Sequence, residues 1–226
     1  MKIRSIILVL GFLLTIEKNL AQGLEFELFL RPSLTSLRGN EMAKEFYDPT
    51  IYPSTGAGVT FLFNKTSSLN LGILYDKKGA HGDNETTIRD SQNEIIGHET
   101  YTVFSDFDYI TVPIQWGHRF GKKIQYQLGV GLYSAFLLKE ESGLQGLSYT
   151  DDTKEDYTDT YKRFDMGISS SFNVYIPIND SFAFKIGVDD NLGLLNTRAS
   201  HVKGEGTIKH NSIGLAVGLK YALLNP

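Results

Sequence analysis

Five histidines, an Asp-Asp pair, an acidic run and a glycine-rich stretch are the places where this chain could do chemistry. His81, His98, His118, His201 and His210 could hold a metal or move protons near neutral pH. No two of them show the H-E-x-x-H spacing that sets two imidazoles on one helix face, and His118, beside a turn, reads as an interfacial side chain. Asp189-Asp190 could act as an acid/base pair, but neighbouring strand residues point to opposite faces, so a shared site would need a bulge. The run Asp151-Asp152-Thr153-Lys154-Glu155-Asp156 lacks the glycine and closing glutamate of a calcium loop and reads as a solvated loop. Gly129-Val130-Gly131 is half a nucleotide fingerprint with no helix after it. No serine sits in a nucleophile elbow. The reading therefore assigns no catalytic residue, no metal ligand and no cofactor.

The composition narrows the class. The chain has 226 residues, no Cys, 22 Lys+Arg against 26 Asp+Glu and a pI near 5.7. Without cysteine there is no disulfide scaffold, thiolate zinc site or lipidated cysteine, and the acidic balance argues against a nucleic-acid partner. Lys2 and Arg4, the apolar run Ile6 to Leu14, and Ala21 before a cut at Gln22 read as a signal peptide over residues 1–21. The run is too short for a spanning helix. Cleavage removes Lys2, Arg4, Lys18 and Glu17, taking the net charge from −4 to −6.

The elements that must position everything else are strands. Apolar residues recur at every second position through Leu24–Leu30, Val59–Phe63, Leu69–Tyr75, Ile110–Trp116, Ile124–Leu132, Met166–Ile176, Phe182–Val188 and Ile213–Tyr221. Such alternation predicts eight strands, each with one apolar and one polar face. Their joins alternate too. Asn64–Ser68, Gly121–Lys123 and Asn179–Ser181 are turn-like, whereas Pro32–Thr55, Lys77–Thr102, Lys139–Arg163 and Asn196–Glu205 are longer. Short turns at one rim and long loops at the other are the pattern of a transmembrane barrel.

Which face is apolar decides between barrels. In a soluble lipocalin-like barrel the bulky apolar set would point inward. Here the set opposite the large apolar residues holds Gly58, Gly72, Gly117, Gly129, Gly131, Gly167, Gly187, Gly214 and Gly218 together with Glu25, Glu27, Arg31, Asp76, Arg119, Lys185, Asp189 and Lys220. A small, charged set suits a narrow lumen, which leaves the apolar set for lipid. Unpaired charges in such a lumen are costly, so these eight are expected to form an ion-pair network. Phe63, Trp116, Phe120, Tyr126, Phe182 and Tyr221, near the short-turn ends, are expected to form an aromatic girdle at headgroup level. Tyr75, Phe104 and Phe136 fall near the long-loop ends. Two residues resist the pattern: Pro113, which should mark a bulge or an irregular pair, and Asp190, which has lipid-facing parity.

Tyr109-Ile-Thr-Val-Pro113-Ile-Gln115-Trp116, then Gln127-Leu-Gly129-Val-Gly131-Leu-Tyr133 and a closing Ile213-Gly-Leu-Ala-Val-Gly218-Leu-Lys-Tyr221 resemble the outer-membrane β-barrel domain family of Bacteroidetes-type bacteria that includes PorT-like proteins. The resemblance covers most of the mature chain. It implies an outer-membrane location and carries no catalytic residues.

The expectation is an all-β protein: an eight-stranded antiparallel transmembrane β-barrel over residues 22–226, in the bacterial outer membrane. With eight strands the lumen is filled by side chains, which disfavours a general porin. A non-enzymatic role in loop binding, envelope integrity or an export assembly follows, with outer-membrane lipid and an extracellular or envelope protein as partners. The competing classes are an outer-membrane enzyme with a rim site and a soluble exported barrel that carries a small ligand.

Overall fold

The computed structural model describes residues 23–39, 41–148, 150–199 and 206–224. The expected signal peptide lies outside them. The fold is all-β and antiparallel: β1 (Gly23–Leu30), β2 (Ser33–Arg38), β3 (Asp48–Tyr52), β4 (Ser54–Leu62), β5 (Ser67–Arg89), β6 (Ile95–Gly121), β7 (Gln125–Gln145), β8 (Thr153–Asp156), β9 (Phe164–Pro177), β10 (Phe182–Gly193) and β11 (Lys209–Leu224). A short helix, α1 (Glu41–Phe46), stands between β2 and β3.

Eight of the eleven strands pair in a closed ring, β1-β4-β5-β6-β7-β9-β10-β11, because β11 returns to pair with β1. The three additional strands correct the expected count. β2 and β3 continue β1 and β4 past Pro32 and Pro53, prolines that cannot donate to a ladder. The chain stays paired across that break through Arg31 N to Ser54 O (2.7 Å) and Ser54 N to Arg31 O (3.1 Å). β8 is a flap on the far end of β7.

The turns follow from side chains that mimic backbone acceptors. Asn64 Oδ1 accepts from the Thr66 and Ser67 amides (2.8 Å each), and Asn179 Oδ1 accepts from Ser181 (2.9 Å) and Phe182 (2.8 Å). Gly121, at φ +104°, turns β6 into β7.

At the opposite rim the expected loop Lys77–Thr102 is a tall β-ribbon. β5 and β6 stay paired from Ser67↔His118 to Arg89↔Ile95, and Asp90 Oδ1 closes the tip by accepting from the Gln92 and Glu94 amides (2.9 Å each). Periodicity missed this because Asp83, Glu85 and Thr87 leave no apolar face to alternate, while ladder hydrogen bonds need none. The loop Lys139–Arg163 is likewise shortened by β7 and β8.

Pro113 marks an irregular pair without a bulge. The β5–β6 ladder lapses between Leu71↔Ile114 and Leu74↔Thr111 and resumes in the same register. Gly72 makes the room, since a Cβ there would come within 3.0 Å of the Pro113 ring.

Candidate functional site

The interior of the ring is built in three levels. At the short-turn end, alternation along β1 sends Glu25 and Glu27 inward. Glu25 holds Arg119 in a two-pronged pair and Lys220 at 3.3 Å, and both cations lie over the Tyr175 ring, at 5.7 and 3.6 Å. Lys185 bonds Glu27 at 2.9 Å and covers the Phe29 ring at 4.5 Å. Each carboxylate therefore meets a cation where an unpaired charge would cost several kcal/mol, roughly.

Further up, Arg31 reaches Asp76 at 3.3 Å, and Ser54 and Thr111 donate to the same carboxylate at 2.7 and 3.1 Å. Lys78 also opposes Asp76, at 3.5 Å, and lies over the Tyr109 and Tyr133 rings at 5.2 and 4.6 Å. Sequence reasoning missed Lys78 by ending its strand at Asp76; continuing the inward parity by one pleat finds it. Asp165, fully buried and accepting from the Tyr133 hydroxyl at 3.2 Å, was missed one residue before another strand.

Seven of the eight expected interior charges stand in these pairs. Asp189 does not: among the described residues no ion pair within 4.0 Å includes it. Lys185, four residues along the same face and therefore about 13 Å distant along the strand, is taken by Glu27. Asp189 instead faces a cavity of about 50 Å³ shared with Glu27, Asn173, Lys185 and Asn191. That volume has room for a few waters and no solute. Beside it, Gln115 bonds Ser169 (2.8 Å) and Ser171 (2.9 Å), and Gln127 bonds Asn70 (2.8 Å), so amides knit facing strands together.

Toward the long-loop end the interior changes character. Leu37, Ala80, Phe107, Tyr109, Tyr133, Ala135 and Leu137 form one buried apolar cluster, with Tyr47, Tyr161 and Ile208 packed on it. His210 is embedded there, its ring 4.5 Å from that of Phe107 and its Nε2 3.3 Å from the Tyr109 hydroxyl. No group of three or more metal-ligating side chains occurs among the described residues.

Above the outward apolar run, which ends at Tyr75 on β5 and Ile110 on β6, one cluster of titratable groups lies on the outer surface. Asp106 accepts from Tyr52 (2.5 Å), faces His81 Nε2 (3.1 Å) and pairs with Lys77 (3.0 Å). Burial pushes the Asp106 carboxyl up, but the bonds from Tyr52 and Lys77 outweigh it and hold the group below the usual carboxylate range. Of the residues that the sequence singled out for chemistry only His81 belongs to this cluster, and no sequence spacing announces it, because β3 and the ribbon bring its members from distant positions.

On the outside of the short-turn end, Phe63 stacks on Trp116 (5.5 Å), Phe120 on Tyr126 (5.4 Å), and Phe182 lies against Tyr221 (5.0 Å). At the other end Tyr75 and Phe136 are exposed, whereas Phe104 is only 4% exposed and packs against His81, because the ribbon and its neighbours cover it.

Residues 19–197, more than half of the chain, match the family described as outer membrane protein beta-barrel domain. Among solved structures, the chain is similar to Ail, the attachment invasion locus protein of Yersinia pestis, with 8% identity, coverage of 88% of this chain and 98% of that one, and a TM-score of 0.43. OprG from Pseudomonas aeruginosa gives 10%, 91%, 98% and 0.46 in the same order. AlkL in lipid bilayers gives 10%, 92%, 93% and 0.46. Likeness at this level says nothing about activity. Among curated proteins none matches.

Proposed function

Because this chain belongs to the outer membrane protein beta-barrel domain family, and so resides in the bacterial outer membrane, we propose that its ring is an eight-stranded transmembrane barrel that is closed to solutes and acts through its outer rim without catalysis. The carrying observation is the double filling of the interior. Ion pairs occupy the short-turn half, an aromatic cluster occupies the long-loop half, and the space between them admits only a few waters. Residues 1–21 act as the signal peptide. The aromatic pairs on Phe63, Trp116, Phe120, Tyr126, Phe182 and Tyr221 serve as the girdle, and the eight interior charges hold the barrel together, with Asp189 contributing through water.

The working surface is the ribbon. Beyond His81, the last β5 residue that pairs with β3, the β5 edge carries backbone groups with no strand beside them among the described residues, and Ile96 at the tip is 65% exposed. An extended edge of this kind receives partner strands. A role in envelope integrity or an export assembly, as the PorT-like resemblance implies, would use this surface.

The test is a planar-bilayer recording of the full chain, alongside assays for lipid modification and proteolysis. The expected result is an unmodified baseline conductance and no turnover. Steady channels from folded protein would sink the closed-lumen reading. The enzyme alternative has one observation in its favour, the Tyr52–Asp106–His81 cluster on the rim. Turnover that His81→Ala abolishes while leaving heat-modifiable gel migration intact would establish it.

A further inference from the structure

A groove of about 270 Å³ opens at the long-loop end between the β8 flap and the chain that enters β3, walled by Tyr47, Val103, Phe104, Ser142, Glu155 and Tyr157. It lies beyond Leu138, where the exposed apolar run of β7 ends. Among the described residues that line it, Glu155 alone is charged. Tyr157 donates its hydroxyl to Glu155 Oε2 at 2.6 Å, which stands an aromatic ring beside the carboxylate. A second carboxylate lies beneath the wall. Glu140 sits one pleat from Ser142 on the same face of β7, and Ser142 and Ser105 both donate to its Oε1. Glu140 is fully buried, and its Oε2 has no hydrogen-bond partner among the described residues. Burial pushes this carboxyl up, the direction that a nearby cation would reverse. Burial and, after it, the Glu140 charge push the Tyr47 hydroxyl up as well, so that charge is felt at the groove wall.

The neighbouring cations are held elsewhere. Lys139 and Lys154 pair with Glu141, on the opposite face of β7, at 2.6 and 3.0 Å, and Arg163 pairs with Asp159 at 2.8 Å. Among the described residues no ion pair within 4.0 Å includes Glu140 or Glu155. The loop Lys139–Arg163 carries seven Asp+Glu against four Lys+Arg, a surplus that draws cations toward this rim. The walls select among them. A metal ion needs several oxygen or nitrogen ligands, and no group of three or more metal-ligating side chains occurs among the described residues. An organic ammonium is served by what the groove offers, since it donates to a carboxylate and is attracted to aromatic faces. The volume falls below the roughly 300–1,000 Å³ of drug-sized sites and so suits a small group.

We propose that this groove binds an alkylammonium group, which donates to Glu155 and stands against the Tyr157 and Tyr47 rings, with buried Glu140 as a second counter-charge that it does not touch. The inference gives the outer rim a ligand class and rests on the reading above that the protein acts there. The probes are butylammonium, a free amine, and Nα-acetyl-lysine amide, which presents the side chain of a protein, with butanol as the neutral isostere. Each is titrated onto the full chain in detergent micelles and read by the shifts of tyrosine ring resonances. The expected result is saturable binding of an ammonium probe and none of butanol, the tighter of the two ammonium probes identifying the source. Glu155→Gln and Tyr157→Leu should each weaken binding about fivefold, and Tyr157→Phe, which keeps the ring, about twofold. Glu140→Gln, which still accepts from both serines, should weaken it about threefold through the lost charge. Glu85→Gln, the same loss of charge farther along the ribbon, should change nothing. No saturation with either ammonium probe, equal binding of butanol, or equal losses from Glu85→Gln and Glu155→Gln would overturn the site. Heat-modifiable migration shows that each variant is folded. Conductance and turnover of the same samples report separately on the reading of the rim, so the two failures stay distinguishable.

Discussion

The two halves of the interior have the same walls and opposite contents. Near the short turns, Glu25, Glu27, Arg119, Lys185 and Lys220 fill the ring with charge; near the long loops, Phe107, Tyr109, Tyr133 and Leu137 fill it with rings and methyl groups. A charged filling is specific and fragile, since each ion depends on one partner. An apolar filling is tolerant of partner identity and sensitive to volume. The difference teaches that one ring of strands can be filled by two unlike chemistries.

Breaking the charged half should have the larger effect. Glu25→Gln leaves Arg119 and Lys220 without their carboxylate and should cost about 3–5 kcal/mol in reversible unfolding from lipid vesicles, as is typical for a buried pair that loses one member. Combining it with Arg119→Met and Lys220→Met should recover most of that loss. If the triple variant is no better than the single one, the charged half is not a pairing problem. In the apolar half Phe107→Ala should cost about 3–4 kcal/mol through its cavity, and no second polar substitution should rescue it; Phe107→Leu should cost less than half as much. A Phe107→Ala variant that unfolds at the wild-type denaturant concentration would mean the cluster only rests in the ring.

The outer surface at the long-loop end also carries a contact that should answer to acid. Asp106 is held below its ordinary pKa, so its contribution to docking β3 on the ribbon is complete above about pH 4 and falls as pH drops through its lower folded value. Hydrogen exchange at the His81 amide, which donates to Thr50 at 3.0 Å, should therefore stay protected relative to the free-chain rate from neutral pH to about pH 4 and lose protection below it. Protection that persists unchanged down to about pH 2 would overturn this reading. The smallest effect is expected at Lys154→Ala, whose exposed pair with Glu141 should be worth about 0–1 kcal/mol.

Much of the ring was legible beforehand, for a physical reason that particular residues show. Leu28, Leu30, Ile114, Val130 and Val217 alternate with Glu27, Arg31, Gln115, Gly131 and Gly218 because one face of each strand meets a medium unlike that on the other. The same contrast placed Glu25, Arg119 and Lys220 inside before their contacts were visible. It failed at Lys77–Thr102, where Asp83, Glu85 and Thr87 leave the ribbon no apolar face to alternate. It failed for Asp189 as well, since parity states which side a residue faces and not how far along it its partner lies.

By itself, then, the sequence determined the class: antiparallel strands, an apolar outer face, a small and charged inner face, and two unlike rims, all of them consequences of local periodicity and turn chemistry. Only the tertiary structure decided which cation meets which carboxylate, that an aromatic cluster fills the long-loop half, that Tyr52, His81 and Asp106 converge on the rim, and that Asp190 stays outward. Those facts depend on the stagger between strands as the ring closes. Closure brings together residues as distant as Glu25 and Lys220, and no local pattern encodes that.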